Sequence, residues 1–230
     1  MSVGWLLLGF RKVFLIKENF DSVWPSYSPM MNISQISKDL ILEFEGMNSA
    51  GRWPGGNSGV TIGYGYDLGY VSEEEFLHDW AGRIAPLFLH KLKQACGLRG
   101  EAARKIAYTM RPIAINKHAA REVFEDKSLP KYIRMTEAAF PGIEKLHMDV
   151  RGALVSLVYN RGTSFEGPTR TEMCDIYRLV QDKDLQGIAD SLRKMKRLWP
   201  SGMKGLLVRR EKEALLVENA IGKRVDPRDG

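Results

Sequence analysis

The chain has 230 residues, of which 44% are hydrophobic and 27% are charged. This length and composition exclude a globally disordered chain and predict a globular protein with a buried core. The formal net charge of +6 favours an anionic partner, such as a nucleic acid, a membrane surface or an acidic polymer. Neither the two cysteines, Cys96 and Cys174, nor the four scattered histidines show a metal-ligand spacing, so we predict no metal and no cofactor. The cysteines are expected to be isolated buried thiols, with a disulfide between them as the alternative.

The N-terminal residues 1–31 do not fit a globular pattern. An apolar run, Val3 to Phe10, is interrupted by Arg11 and Lys12, and it is far shorter than the roughly 20 apolar residues of a membrane span. A secretory signal would need a positive charge before the apolar run and a small-residue cleavage site after it, and both are missing. We interpret 1–31 as an extension of unknown role or a mis-assigned gene start, with a weak membrane-associating segment as the alternative. One domain is expected over 32–225.

The first clear helix pattern starts at Ile33, with apolar residues at steps of three and four up to Phe44. Ser37 is the expected N-cap and Gly46 the expected stop. Glu45 then lies in the last turn, at the negative end of the helix dipole, where the helix itself does not favour an acid. A carboxyl group at this position, beside Phe44, is pushed toward its protonated form and is a candidate catalytic group, although an ordinary exposed glutamate is the simpler explanation.

The next stretch, residues 51–70, contains seven glycines in twenty residues. From Val60 to Asp67, bulky residues alternate with small or polar ones, as in short strands with one bare face. Thr61 and Asp67 lie on that bare face, but in one straight strand they would be about 20 Å apart. We therefore predict a bend at Gly63 or Gly65 that brings them together. A glycine-rich hairpin without chemistry is the alternative.

The rest of the chain reads as helices. A capping box at Ser72–Glu75 predicts a helix that runs on through Ile84. Further helix patterns cover 100–110, 117–126, 129–139, 147–161, 171–180, 185–198 and 204–220. We found no internal repeat or linker. The predicted fold is therefore a single α+β domain, mostly helical, with a small antiparallel sheet near the N-terminal part of the domain.

The candidate groups suit glycoside hydrolysis. This reaction needs a carboxylic acid that protonates the leaving oxygen and, in inverting enzymes, a second group that holds a water on the other face of the sugar. Glu45 can supply the acid, and Asp67 with Thr61 can hold the water. Trp53 and Tyr64 are candidate sugar-stacking residues, although a place in the core would explain such aromatics equally well. No nucleophile elbow, phosphate loop or zinc motif competes.

Three separated segments resemble one family. The residues Phe44-Glu45-Gly46, followed by TIGYGYDLG from Thr61 to Gly69, resemble the phage-type lysozymes, and most closely their pesticin-like branch. Leu154 to Gly162 resembles the family's central helix ending in N-x-G, and Gly205 to Ala214 resembles its C-terminal helix with two adjacent arginines. The resemblance spans about residues 32–222. It implies a lysozyme-like fold and an endolysin-type muramidase that cleaves the β-1,4 bond between N-acetylmuramic acid and N-acetylglucosamine.

The resemblance also implies roles for individual residues. Glu45 would be the general acid, with Asp67 and Thr61 positioning the water. Since no acid lies between Glu45 and Thr61, where many phage lysozymes carry their aspartate, Asp67 fits the pesticin-like arrangement alone. Asn160 is a candidate substrate-binding residue or a helix cap. Gly63, Gly65 and Arg210 are candidate structural supports, and either Arg209 or Arg210 is a candidate ion-pair partner of Glu45.

The expected partner is the glycan strand of peptidoglycan, with no nucleic acid, no stable membrane span and a monomeric protein. The expected place of action is the bacterial cell wall, and the export route stays open. A lytic transglycosylase, a non-catalytic peptidoglycan-binding module and a basic membrane-active toxin are the alternatives. A phage lysis enzyme, an antimicrobial bacteriocin-like toxin and a secreted effector would all use such a bacteriolytic domain.

Overall fold

The computed structural model describes residues 30–224, with the backbone alone for residues 49 and 50. It confirms an α+β architecture that is mostly helical, with one small antiparallel sheet. The helices are α1 Gln35–Glu45, α2 Glu73–Trp80, α3 Pro86–Lys93, α4 Gly100–Met110, α5 Lys117–Val123, α6 Leu129–Ala139, α7 Met148–Arg161, α8 Thr171–Asp182, α9 Leu185–Lys194 and α10 Lys204–Glu218. The strands are β1 Asn48–Arg52, β2 Thr61–Gly63 and β3 Tyr66–Asp67. The predicted extension lies, except for its last two residues, outside the described part, so the domain boundaries stay predictions.

The core is built around α7. Every residue from Asp149 to Tyr159 is buried, because α1, α6 and α10 pack around this helix. The sequence predicts a wide apolar face, whereas the structure surrounds the helix on all sides. α9 and α8 extend the helical layer beyond α10, and α4 packs on the sheet through β1.

Local residues define both ends of α1. The N-cap is Ser34, whose hydroxyl accepts a hydrogen bond from the Ser37 N–H. The prediction of Ser37 as the cap is therefore wrong: Ser37 lies inside the helix, fully buried, with its hydroxyl 2.7 Å from that of Ser34. The predicted stop at Gly46 is confirmed, with φ of 63° and its N–H bonded to the Leu42 carbonyl. Glu45 is thus the last helical residue.

The sheet has the order β1-β2-β3, and both pairings are antiparallel. Thr61 lies directly opposite Asp67, and Ile62 opposite Tyr66. The predicted bend is confirmed, because Gly63 and Gly65 adopt φ values of 54° and 72° in the turn between β2 and β3. Glycine adopts such left-handed backbone without the steric cost that a Cβ brings.

The hairpin has one buried and one open side. The bulky residues of the alternating pattern are at most 7% exposed: Val60, Ile62, Tyr64 and Tyr66. Thr61, Gly65 and Asp67 are partly exposed and border a cleft. The predicted bare face is therefore present, folded back on itself by the turn.

The predicted N-cap of α2 is confirmed, since the Ser72 hydroxyl accepts the Glu75 N–H, while the Glu75 carboxylate contacts Lys131 rather than closing the capping box. The helix ends at Trp80, before Ile84, and α3 was not predicted. α5 continues without a break into a π-helical turn, Phe124–Ser128, and then into α6. Cys96 and Cys174 are both free thiols, which contradicts the disulfide alternative, and both are partly exposed, so the prediction that they are buried is wrong.

Candidate active site

One cleft contains all three predicted catalytic residues. It has a volume of about 770 Å³ and lies between the C-terminal end of α1, the β2–β3 hairpin, the π-helical turn and the C-terminal end of α7. Glu45, Thr61 and Asp67 line it. A cavity of this size suits an extended ligand of several rings rather than a single ion.

The two carboxylate oxygens of Glu45 have different surroundings. Oε1 accepts a hydrogen bond of 2.6 Å from Nη1 of Arg209. Oε2 lies against the hairpin turn, where a Cβ added at Gly65 would come within 2.9 Å of it. With a side chain 18% exposed, Glu45 is held by the protein on one oxygen and is close to the cleft with the other.

Arg209 is itself fixed by several bonds. Its Nη2 donates to the Ser156 carbonyl at 3.0 Å, and its Nε donates to the Ser156 hydroxyl at 3.1 Å and to Glu213 at 3.3 Å. The guanidinium lies 5.6 Å from the centre of the Phe44 ring. Because these contacts come from α1, α7 and α10, the guanidinium reaches Glu45 in one defined orientation.

Arg209 is the arginine that contacts Glu45, and Arg210 lies deeper. Arg210 is fully buried and donates to Glu213 at 2.6 Å. Burial lowers the pKa of Arg210 to about 10. Arg210 makes no contact with Glu45. Its predicted supporting role therefore stays a prediction, and it would act by packing behind the site.

Asp67 closes the loop that precedes β2. One of its oxygens accepts the N–H groups of Gly59 and Gly69, each at 2.9 Å, and the other accepts the Gly59 N–H at 3.2 Å. A Cβ at Gly59 would come within 2.3 Å of the carboxylate, so this approach requires glycine. Burial raises the pKa of Asp67 above its usual value, and the two N–H donors oppose that rise. A carboxylate offers about four acceptor positions, so room for a water remains.

Two tyrosines that were not predicted lie beside the carboxylates. The rings of Tyr132 and Tyr159 are 4.0 Å apart at their centres, and both residues line the cleft. The pKa of Tyr132 is raised to about 12, first by burial and then by the negative charges of Glu45 and Asp67. The Tyr159 hydroxyl donates to the Tyr64 carbonyl at 2.9 Å, which ties α7 to the hairpin turn. Both tyrosines belong to helix patterns, where aromatic residues are ordinary core members.

A set of charged residues forms the far wall of the cleft, and it too was not predicted. Lys131 contacts Glu75 at 3.2 Å, and Lys127 lies 3.8 Å from Asp79. Asp79 also accepts the Tyr66 hydroxyl at 2.9 Å. Lys127 belongs to the π-helical turn and Lys131 to the start of α6. The turn therefore determines where these two side chains lie on the wall.

The three predicted substrate-binding residues are not together. Asn160 lines the cleft. Trp53 lines an adjoining cleft and donates its indole N–H to the Ser58 carbonyl at 3.1 Å. Tyr64 is 7% exposed and packs edge-on against Phe124, so the structure places its ring in the core and corrects its assignment to the binding surface. The reason is the alternation of the hairpin, which turns Tyr64 to the buried side.

Within 30–224, no three His, Cys, Asp or Glu side chains are grouped to hold a metal ion. None of the helices in this range is long and apolar enough to cross a bilayer.

Comparisons with known proteins give a family without a described activity. A family model described as a domain of unknown function (DUF8812) matches residues 48–204. No curated protein matches the chain. Among solved structures, the chain is similar to the crystal structure of the active form of the P1 phage endolysin Lyz, with 17% identity and a TM-score of 0.47, over 84% of this chain and 88% of that chain. At this level of similarity we draw nothing about activity from that neighbour.

Proposed function

Because the chain belongs to the DUF8812 family, a domain of unknown function, we propose its activity from its own site: it is a lysozyme-type glycoside hydrolase that cleaves peptidoglycan. The proposed bond is the β-1,4 linkage between N-acetylmuramic acid and N-acetylglucosamine, as the resemblance to pesticin-like lysozymes implies. The observation that carries the proposal is that Glu45, Thr61 and Asp67 line one cleft. The partner is the glycan strand, and the place of action is the bacterial cell wall.

Glu45 is the proposed general acid. Its Oε1 keeps the bond to Arg209, and its Oε2 carries the proton that passes to the glycosidic oxygen as the bond to the anomeric carbon breaks. Arg209 positions the carboxyl group, because its other bonds to Ser156 and Glu213 leave it one orientation. General acid catalysis of this kind contributes about 10²–10⁴ to the rate.

Asp67 and Thr61 are the proposed water site. The two residues face each other across the β2–β3 pair, so a water between them would donate one hydrogen bond to the Asp67 carboxylate and accept one from the Thr61 hydroxyl. The water attacks the anomeric carbon, and Asp67 takes its proton. The configuration of that carbon is inverted in such a reaction.

The test is digestion of purified cell walls by the wild type and by Glu45→Gln. Glutamine keeps the shape and the oxygen that accepts from Arg209, but it has no proton to deliver. We expect a loss of at least about 100-fold in clearing rate. The matched control is Glu43→Gln, two residues earlier, whose exposed carboxylate pairs with Lys212. Equal clearing by Glu45→Gln and wild type would end the catalytic assignment of Glu45.

A lytic transglycosylase is the second candidate, and one observation favours it. Backbone N–H groups hold both oxygens of Asp67, so its first role can be to close the loop, with the sugar's own hydroxyl replacing water. Product identification separates the two reactions, since a 1,6-anhydro end excludes hydrolysis. Asp67→Asn and Thr61→Ala are expected to slow hydrolysis with the fold intact. Normal rates in both would favour the transglycosylase.

A further inference from the structure

A second cleft adjoins the proposed active site. It has a volume of about 800 Å³ and lies between β1 and α4. Its lining includes four cationic side chains and no acidic one: Arg52, Arg104, Lys105 and Arg111. The first cleft, in contrast, is lined by four acidic side chains, Glu45, Asp67, Glu75 and Asp79, together with three cationic ones, Arg52, Lys127 and Lys131. The chain therefore presents two neighbouring surfaces of different charge.

Three of these four cations have no carboxylate within ion-pair distance in the described part of the chain. Arg104 is held by Glu101 at 2.7 Å, but Arg52, Lys105 and Arg111 have no such partner among residues 30–224. All four are exposed. Cations left unpaired around one concave surface attract an anion to it.

Two aromatic residues also line the second cleft. Tyr108 is 70% exposed, and the Arg111 guanidinium lies 4.8 Å from the centre of its ring. Trp53, on the other side, is fixed by its indole bond to Ser58. Exposed aromatic rings beside cations provide both apolar contact and charge, a combination that suits a peptide better than a small inorganic anion.

The two clefts share part of their walls. Asn48 and Arg52, at the two ends of β1, line both of them. Arg52 lies opposite Thr61 in the β1–β2 pair. A branch that leaves a ligand in the first cleft near Thr61 therefore reaches the second cleft across β1.

We propose that the second cleft binds the carboxylates of the stem peptide that peptidoglycan carries on its muramic acid residues. This inference rests on the proposed function, since it needs the glycan strand in the first cleft. The N-acetylated sugars are uncharged once the lactyl group is linked to the peptide, so a basic subsite finds its anion on the branch. A cavity of about 800 Å³ accommodates a ligand of the size of a short peptide.

The test compares soluble glycan strands that carry stem peptides, the same strands with their peptide carboxylates amidated, and strands stripped of peptide. The variant is Lys105→Gln with Arg111→Gln, two exposed side chains outside the proposed catalytic groups. On peptide-bearing strands we expect KM to rise about tenfold, with kcat unchanged, because two charge-assisted contacts are lost. On amidated or stripped strands the variant and wild type are expected to be equal.

The matched control is Lys91→Gln with Lys204→Gln, which removes the same charge from exposed lysines that line neither cleft.

Binding of the same strands, measured in a Glu45→Gln background, separates the two proposals. If wild type cleaves no strand, the proposed function fails, while a tenfold binding difference on peptide-bearing strands still supports the subsite. An equal loss in the control, an equal loss on stripped strands, or no loss at all overturns the subsite. Inorganic polyphosphate that competes as strongly as the peptide-bearing strand would show a general anion surface and overturn it as well.

Discussion

At the level of single residues, Gly65 determines how close the hairpin turn comes to the proposed acid. Its φ is 72°, and an added Cβ would lie 2.9 Å from Oε2 of Glu45 and 3.1 Å from the Tyr159 ring. For Gly65→Ala we expect a loss of about 1–2 kcal/mol in unfolding free energy from the left-handed backbone. We also expect a fall of at least about tenfold in wall clearing, since a displacement of about 1 Å at a catalytic group is costly.

Gly82→Ala is the control for this prediction. Gly82 has a φ of 77°, and nothing lies within 4 Å of the Cβ position. Gly65→Ala should lose at least as much stability as Gly82→Ala in urea denaturation, since its Cβ also meets Glu45 and Tyr159, and only Gly65→Ala should lose activity. Equal activity in both variants would mean that the contact between the turn and Glu45 has no role in the reaction.

Asp67 gives a pH dependence of stability. Its pKa in the folded protein is raised above the usual value of an aspartate, mainly by burial, so the folded state holds this proton to higher pH than the unfolded state. Stability therefore falls as pH rises from about 4 through the folded pKa. Asp67→Asn keeps an oxygen for the N–H groups of Gly59 and Gly69 but cannot ionise. We expect it to gain stability relative to wild type between pH 3 and pH 7 in urea denaturation. A constant difference across that range would contradict the raised pKa.

The sequence could predict the residues of this site that are linked by local geometry. The alternation of bulky and small residues, together with two glycines, is enough to place Thr61 opposite Asp67. The helix stop at Gly46 is enough to place Glu45 at a helix end. The sequence could not decide whether Arg209 or its neighbour is the ion-pair partner of Glu45. Adjacent helical residues point in different directions, and only the packing of the helices determines which one reaches Glu45. Tyr132 could not be found, since its closeness to both carboxylates depends on how α6 packs on α7.

At the level of elements, the π-helical turn between α5 and α6 shapes the far wall of the cleft. The Leu129 N–H donates to the Phe124 carbonyl, five residues earlier. Pro130 explains this widening, because it has no N–H for the carbonyl four residues back and its ring crowds that carbonyl. Lys127, Ser128 and Lys131 line the cleft at this point.

Restoring the N–H with Pro130→Ala should allow a regular α-helix and move these side chains. We expect kcat/KM on cell walls to fall about tenfold, with a thermal midpoint equal to or above that of wild type, since alanine is the better helix former. The control is Pro86→Ala, another proline in the first turn of a helix, at a position outside the cleft. Unchanged activity of Pro130→Ala would show that the π-helical turn is not needed for the reaction.

Local signals predicted most helices, and their failures have local causes. Ser34 and Ser37 are both possible caps, and the choice depends on the close approach of Gly152, which buries Ser37 inside the helix. α3 begins with Pro86 and has one fully buried side chain, Leu92, so it shows little periodicity. The π-helical turn was not predicted because the flanking apolar residues keep ordinary helical spacing up to it, and that spacing indicates two regular helices.

At the level of the whole molecule, a buried ionic cluster connects the proposed acid to the core. Arg209 and Arg210 of α10 both donate to one oxygen of Glu213, which also accepts the Ser156 hydroxyl of α7 at 2.6 Å. Within the described residues the other oxygen of Glu213 has no hydrogen-bond partner. Two arginines and two glutamates, Glu45 and Glu213, thus balance in charge across α1, α7 and α10.

The cluster predicts that stability and activity are lost together. Glu213→Gln leaves Arg209 with Glu45 as its carboxylate partner and leaves Arg210 with none among the described residues. Breaking a buried pair in this way costs about 3–5 kcal/mol. We expect the thermal midpoint to fall by roughly 10 °C. Wall clearing, measured well below that midpoint, should also fall, because Arg209 is no longer held in one orientation.

Glu211→Gln is the control, since its carboxylate pairs with Arg193 at 3.0 Å in a partly exposed position, and a pair of that kind is worth about 0–1 kcal/mol. If the two variants melted at the same temperature, the cluster would be an ordinary surface network, and the orientation of Glu45 would need another cause.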